Sequence, residues 1–243
     1  MQSADSAVLL RERFDSVLVL TLNRPAARNA LNVELTNALM SAVAELDVDD
    51  SLRAAVLTGS DPAFCAGLDL KAFSGPASPR GIVGEFLRSF PQRRKPVIGA
   101  INGPTMTGGL ELALGCDFLI ASERAMFGDT HLKVGTIAGG GMNSRMPHAI
   151  GVRWAKQLSL TGQSIDALGA RYIGLVNEIV PHDRLLARAL ELAQAVATRD
   201  PDLVIATREV LDRASKVSMG DAIRVEADAF AAFKAQGPRT WKT

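Results

Sequence analysis

Around Gly108 and Glu111 the chain combines uncovered backbone donors with one carboxylate in apolar surroundings. The stretch Ile101-Asn102-Gly103-Pro104-Thr105-Met106-Thr107-Gly108-Gly109-Leu110-Glu111-Leu112-Ala113-Leu114 reads as a buried strand, a glycine turn and the start of an apolar helix. The glycines leave N–H groups bare at the helix start, where negative charge is favoured. Glu111 follows about one turn later as a partly desolvated acid or base. Enolate chemistry needs those two parts: donors for a developing oxyanion, and a group that moves a proton. A second turn of the same design, Ala66-Gly67-Leu68-Asp69, lies upstream. If the fold joins the two turns, two N–H groups can meet one carbonyl oxygen. Losing one such donor costs about 3 kcal/mol of barrier.

The elements that must carry these turns can be read from periodicity and punctuation. Residues 8–13 and 17–22 are β-rich runs around a short turn, a hairpin. Asn32 caps a helix to about residue 47, and residues 54–58 form a short buried strand. Residues 64–71 read as a glycine turn leading into a short helix, and residues 74–81 as a mobile loop. A helix through residue 90, a strand at 96–101 and short strands at 118–121 and 125–127 follow. This strand, strand, helix rhythm suggests stacked ββα turns rather than βαβ alternation, with no repeated sequence between units. Beyond residue 142 the pattern is helical, at 144–150, 153–160 and 166–172. Asp183 is expected to cap a helix to 199, Pro201 to start one reaching 214, and 221–234 to form the last.

Composition removes several classes. The 27 basic and 26 acidic residues nearly cancel and aromatics are 5%, so a nucleic-acid groove is disfavoured. No apolar run approaches the roughly 20 residues that span a bilayer. The opening residues lack the pattern of a secretory or mitochondrial signal. Cys65 and Cys116 are the only cysteines, which suggests a reducing, cytoplasmic setting and two buried small hydrophobes. There is no G-x-G-x-x-G, no phosphate-loop lysine after Gly108 and no G-x-S-x-G elbow. His131, His148 and His182 are scattered, and no metal site is expected.

The residues that remain resemble the enoyl-CoA hydratase/isomerase, or crotonase, superfamily. The resemblance runs through Leu22-Asn23-Arg24-Pro25, Asn29-Ala30-Leu31, Phe64-Cys65-Ala66-Gly67-Leu68-Asp69-Leu70 and Ala100-Ile101-Asn102-Gly103. It continues through Gly108-Gly109-Leu110-Glu111-Leu112-Ala113, Cys116-Asp117, Phe127-Gly128, Val134-Gly135, Gly139-Gly140-Gly141 and Leu160-Thr161-Gly162, and ends with Ala170 and Gly174-Leu175-Val176. It covers nearly the whole chain in the family's order. It implies an α/β fold, a crotonase-like spiral of ββα units (residues 1–182) with a C-terminal helical trimerisation region (183–243) that also covers the active site. Homotrimers or dimers of trimers are expected. No metal or redox cofactor is implied, and coenzyme A enters only as part of an acyl-CoA thioester substrate.

Carried over residue by residue, the two oxyanion donors fall on the Leu68 and Gly108 amides. Arg24, Arg28, Ala30, Ala66, Asp69, Leu70 and Lys71 fall along the path of the coenzyme A moiety. Glu111 matches the first of two glutamates that serve hydratases of this family. His131 occupies the place of the second, in Phe127-Gly128-Asp129-Thr130-His131. Asp129 could itself serve, or could orient His131. Ionised Glu111 would raise the histidine pKa and burial would lower it. The implied reaction is addition of water to a 2-enoyl-CoA. Isomerisation, decarboxylation or thioester hydrolysis on the same fold, or acyl-CoA binding without turnover, are the alternatives. Acyl-chain specificity is expected from the helix and loop around residues 73–90.

Overall fold

The computed structural model describes residues 7–73 and 80–235, and the chain divides into two compact units between Ala197 and Thr198. In the first unit, β1 (Leu9–Phe14) and β2 (Val17–Leu22) form the expected hairpin, with Leu9 opposite Leu22 and Phe14 opposite Val17. Asn32 caps α1 (Val33–Val48) by accepting the Leu35 N–H at 2.9 Å. β3 (Ala54–Gly59), α2 (Arg80–Ser89) and β4 (Val97–Ile101) follow. Then come β5 (Pro104–Met106), α3 (Gly108–Ala113), β6 (Phe118–Ser122), β7 (Met126–Gly128) and α4 (Met142–Thr161). β8 (Ser164–Asp166), α5 (Ala167–Tyr172), β9 (Glu178–Val180) and α6 (Leu185–Ala197) complete the unit.

The strands make two sheets. The larger has the order β1-β2-β3-β4-β6-β9 and is parallel from β2 onward; the smaller has the order β5-β7-β8. Each of β4 and β6 passes the chain to a short strand of the small sheet before a helix begins. Cys65 makes the same step after β3 through a single parallel bridge to Thr105. The ββα recurrence is therefore present as backbone geometry. Residue alternation divides the large sheet between two cores. Leu18, Leu20, Leu22 and Leu57 face α1 and the rest of the main core, while Val17, Val19, Val56 and Ile98 meet Leu185, Ala189 and Ala193 of α6.

That second core moves a boundary expected from the sequence. The compact unit does not end at residue 182 but runs to Ala197, because α6 closes the far face of the sheet. The other unit contains α7 (Pro201–Ala214) and α8 (Met219–Ala235). Asp200 caps α7 through the Asp202 and Leu203 N–H groups, with Pro201 in its first turn.

Two local expectations also change. No helix follows the turn at Gly67 among the described residues; residues 70–73 are turns, with Asp69 Oδ1 accepting the Ala72 N–H at 3.2 Å. Asp183 does not cap α6, since a 3-10 turn over His182–Arg184 precedes the helix. The helical segments expected at 144–150 and 153–160 are both present within α4, separated at Gly151, whose φ 75° and ψ 152° are not helical. The mobile loop expected at 74–81 lies, for residues 74–79, outside the described residues. Among the described residues no helix is long and apolar enough to cross a membrane.

Candidate active site

The two glycine turns are neighbours. Cys65 and Met106 are joined by the Met106 N–H to the Cys65 carbonyl at 2.9 Å, and the Cys65 N–H reaches the Pro104 carbonyl at 3.2 Å. This short parallel zipper brings the segment 65–68 against 105–109. The approach is so close that a Cβ on Gly109 would stand 2.1 Å from the Cys65 carbonyl oxygen. Only glycine fits there. A Cβ on Gly108 would lie 3.5 Å from the Leu68 nitrogen, so the two proposed donors are adjacent across the zipper. Among the described residues neither the Leu68 nor the Gly108 N–H has an acceptor. At Leu68 the reason is register. Its flanking Gly67 carbonyl and Asp69 N–H both bond to Leu31, which turns the Leu68 N–H the other way. At Gly108 the reason is helix geometry, because first-turn amides have no carbonyl behind them.

Thr107 links the two turns. It adopts φ 46°, ψ −115°, a region that strains a threonine, and gives its N–H to the Gly128 carbonyl at 3.0 Å. The same contact ties the start of α3 to β7, the strand that leads toward His131.

Glu111 is 2% exposed on the inner face of α3. Its Oε1 accepts the Gly140 N–H at 2.7 Å and the Met142 N–H at 3.1 Å. Its Oε2 stands 3.8 Å from His131 Nε2. One oxygen is thus anchored and the other faces the histidine. Gly140 is held in turn by Arg145, whose guanidinium donates to the carbonyls of Gly140 and Leu87 at 3.0 Å and of Arg88 at 2.9 Å. A Cβ on Gly140 would meet Glu111 Oε2 at 2.7 Å and Leu87 Cβ at 2.8 Å, so α2 and the glycine loop close one side of the site.

His131 is 8% exposed, and Asp129 beside it 3%. His131 Nδ1 lies 2.6 Å from Asp129 Oδ1, and Asp129 Oδ2 accepts the Ser159 hydroxyl of α4 at 2.6 Å. Burial works against the charge on Asp129, but hydrogen bonds from His131 and Ser159 outweigh it and hold the carboxyl below its ordinary range. For His131, burial pulls downward. The Asp129 hydrogen bond and the charges of Asp129 and Glu111 prevail, so its pKa is raised above the usual value. The competition between burial and charge is settled by Asp129.

The residues expected along the coenzyme A path also come together. The Leu31 N–H reaches the Gly67 carbonyl at 2.7 Å, and the Ala66 N–H the Arg28 carbonyl at 3.0 Å, which packs residues 24–31 beside 66–71. Arg24 donates to Asp69 Oδ2 at 2.8 Å and to the Ala30 carbonyl. That Arg24 hydrogen bond keeps the Asp69 carboxyl below its ordinary range. Arg24 therefore ties residues 24–31 to Asp69, and its charge is already met by that carboxylate. Arg28, Leu70 and Lys71 are exposed along the same stretch. Cys65 and Cys116 are free, and burial pushes both thiols up to about 12, far from nucleophile behaviour. Among the described residues no group of three or more His, Cys, Asp or Glu is arranged to hold a metal ion.

Sequence reasoning missed Ser159, Arg145 and the two amides that grip Glu111. The Gly139-Gly140-Gly141 run was a visible signal of close backbone approach; Ser159 and Arg145, single polar residues on a helix, carried none.

A family model described as Enoyl-CoA hydratase/isomerase matches residues 12–240. A probable enoyl-CoA hydratase of Rhizobium meliloti (strain 1021) is 39% identical over 225 residues, 91% of this chain and 88% of that protein. The crystal structure of an enoyl-CoA hydratase from Bacillus anthracis superposes with a TM-score of 0.88 at 32% identity, covering 92% of this chain and 90% of the other. One from Mycobacterium tuberculosis H37Rv superposes with a TM-score of 0.78 at 42% identity, covering 93% and 95%.

Proposed function

The chain belongs to the enoyl-CoA hydratase/isomerase family and is a hydratase-type enzyme, and from that premise we propose how its residues carry the reaction. The substrate is a 2-enoyl-CoA thioester. The Leu68 and Gly108 N–H groups receive the thioester oxygen, and Glu111 Oε2 takes a proton from water as the water oxygen bonds to C3. The electrons of the C2–C3 double bond move into the thioester, whose oxygen becomes the enolate oxygen held by the two amides. Proton return to C2, assisted by His131, completes the β-hydroxyacyl-CoA. The observation that carries this reading is a buried carboxylate with one oxygen pinned and one presented, beside two adjacent amides that have no acceptor among the described residues.

Residues 24–31 and 66–71 form the wall for the coenzyme A moiety, with Ala30, Ala66, Asp69 and Leu70 along it. Arg28 and Lys71 meet its phosphates, and Arg24 shapes the wall through Asp69. Coenzyme A serves as part of the substrate, with no separate cofactor. A cytoplasmic enzyme built on trimers belongs to the same proposal. Its support is the two free thiols and the exposed apolar side chains Leu160, Leu168 and Tyr172 on α4 and α5.

The test is incubation with a panel of 2-enoyl-CoA thioesters read by mass, where a gain of one water marks hydration. Glu111→Gln is expected to lower kcat by about a thousandfold or more, as loss of a general base does. Undiminished hydration by that variant removes Glu111 from the mechanism. Turnover of 3-enoyl-CoA to 2-enoyl-CoA in place of hydration would instead assign isomerase chemistry.

A further inference from the structure

We propose that Asp129 and Ser159 are positioning residues that fix His131 with a proton on Nδ1 and direct Nε2 at Glu111, making His131 the donor of the proton that C2 receives. The proposal rests on the hydratase reading of the site and adds the division of labour between its two ionisable groups.

The geometry runs Ser159, Asp129, His131, Glu111. Ser159 Oγ donates to Asp129 Oδ2 at 2.6 Å, and Asp129 Oδ1 stands 2.6 Å from His131 Nδ1 and 3.3 Å from the His131 backbone nitrogen. A carboxylate can only accept, so Nδ1 must carry the hydrogen. Serine here is the outermost member and donates a hydrogen bond to the aspartate, which distinguishes the chain of contacts from a hydrolytic triad, where serine faces the histidine. His131 Nε2 is left pointing across 3.8 Å at Glu111 Oε2.

The charged groups facing His131 come from separate elements. Asp129 precedes it in the chain, Glu111 faces it from α3, and Arg145 of α4 acts electrostatically on Glu111 from the far side. Both carboxyls favour the imidazolium, which agrees with the raised pKa of His131. A histidine so held keeps its Nε2 proton to higher pH than an ordinary histidine does and can give it away. The balance of the step is simple. Water loses a proton to Glu111 Oε2, C2 takes the Nε2 proton of His131, and the two groups end as a carboxylic acid beside a neutral imidazole. Transfer of the acid proton from Oε2 to Nε2 then restores the starting state without exchange with bulk solvent.

Two measurements on the intact protein test this, and one needs no turnover. Nitrogen-15 NMR titration resolves the three histidines, with His131→Ala identifying the resonance. Wild-type His131 is expected to titrate above ordinary histidine and to retain the Nδ1–H tautomer once neutral. In Asp129→Asn the titration should fall by about one pH unit or more, and in Ser159→Ala by less. The alkaline limb of kcat against pH should move in the same direction, with kcat in Asp129→Asn lowered about tenfold or more and KM little changed. An Nε2–H tautomer in the wild type, or a His131 titration unmoved in Asp129→Asn, overturns the proposal. Should Asp129→Asn not fold, an unmoved titration in Ser159→Ala does so. Absence of hydration on every thioester would defeat the hydratase reading while leaving the NMR outcome to judge the relay.

Discussion

Glu111 and His131 sit 3.8 Å apart, and each is gripped from behind: Glu111 by two backbone amides, His131 by Asp129. These grips set what each group does and also link the site to stability. His131 has a raised folded pKa, so its contribution is complete below its unfolded value of about 6.5 and is lost as pH rises through the higher folded value. Asp129 has a lowered folded pKa, so its contribution is present above about 3.8 and is lost as pH falls through the lower folded value. A tenfold difference in proton affinity between the folded and unfolded chain is worth about 1.4 kcal/mol. His131→Gln should therefore cost thermal stability most between pH 5 and 6.5, as ordinary carboxyl and imidazole values bracket that window. The difference from wild type should narrow as pH rises toward 9, and calorimetric Tm across that range is the check. A gap constant with pH would show that the loss is packing alone. At this scale Glu111 was legible as a lone carboxylate in an apolar helix, and His131 by its place in the motif. The hydroxyl behind Asp129 was not, because a serine on a helix gives no local sign of what it faces.

Between elements, the decisive contact is the zipper of residues 65–68 against 105–109. Its closeness at Gly109, where a Cβ would stand 2.1 Å from a backbone oxygen, leaves no room for relaxation of a side chain. Gly109→Ala is expected to destabilise by about 3 kcal/mol or to prevent folding. Gly108→Ala is different, because its Cβ would press at 2.7 Å on the tip of the Leu68 side chain, which can move. That variant should fold with a Tm near wild type yet lose turnover, and denaturant unfolding beside kcat separates the pair. Equal losses of stability would contradict the tight approach of the two turns at Gly109. The turns themselves were visible as glycine-rich punctuation. Residues 70–73 form turns where a helix was expected after Gly67, with the Asp69 carboxylate engaged by Arg24 and by the Ala72 amide.

For the molecule as a whole, α6 proves to be the cover of the sheet's second face, while α7 and α8 form a separate unit in which no described side chain is fully buried. Leu211, Ile223 and Phe230 on those helices are exposed apolar groups that a single chain leaves in water. Wild type is accordingly expected to sediment as three chains or a multiple of three, and Phe230→Asp to shift it toward single chains. A monomeric wild type would end the trimer reading. The sequence by itself determined the opening hairpin, α1, the strands β3, β4, β6 and β7, the two glycine turns, the carboxylate and the family, because each is written in a short window of residues or in their order along the chain. Only the tertiary structure decided which side of the sheet α6 covers, that Arg24 spans to Asp69, and that Ser159, Asp129, His131 and Glu111 form one connected set. The contacts that grip Glu111 and Asp129 join atoms 29 to 31 residues apart, and no local propensity encodes a meeting at that separation.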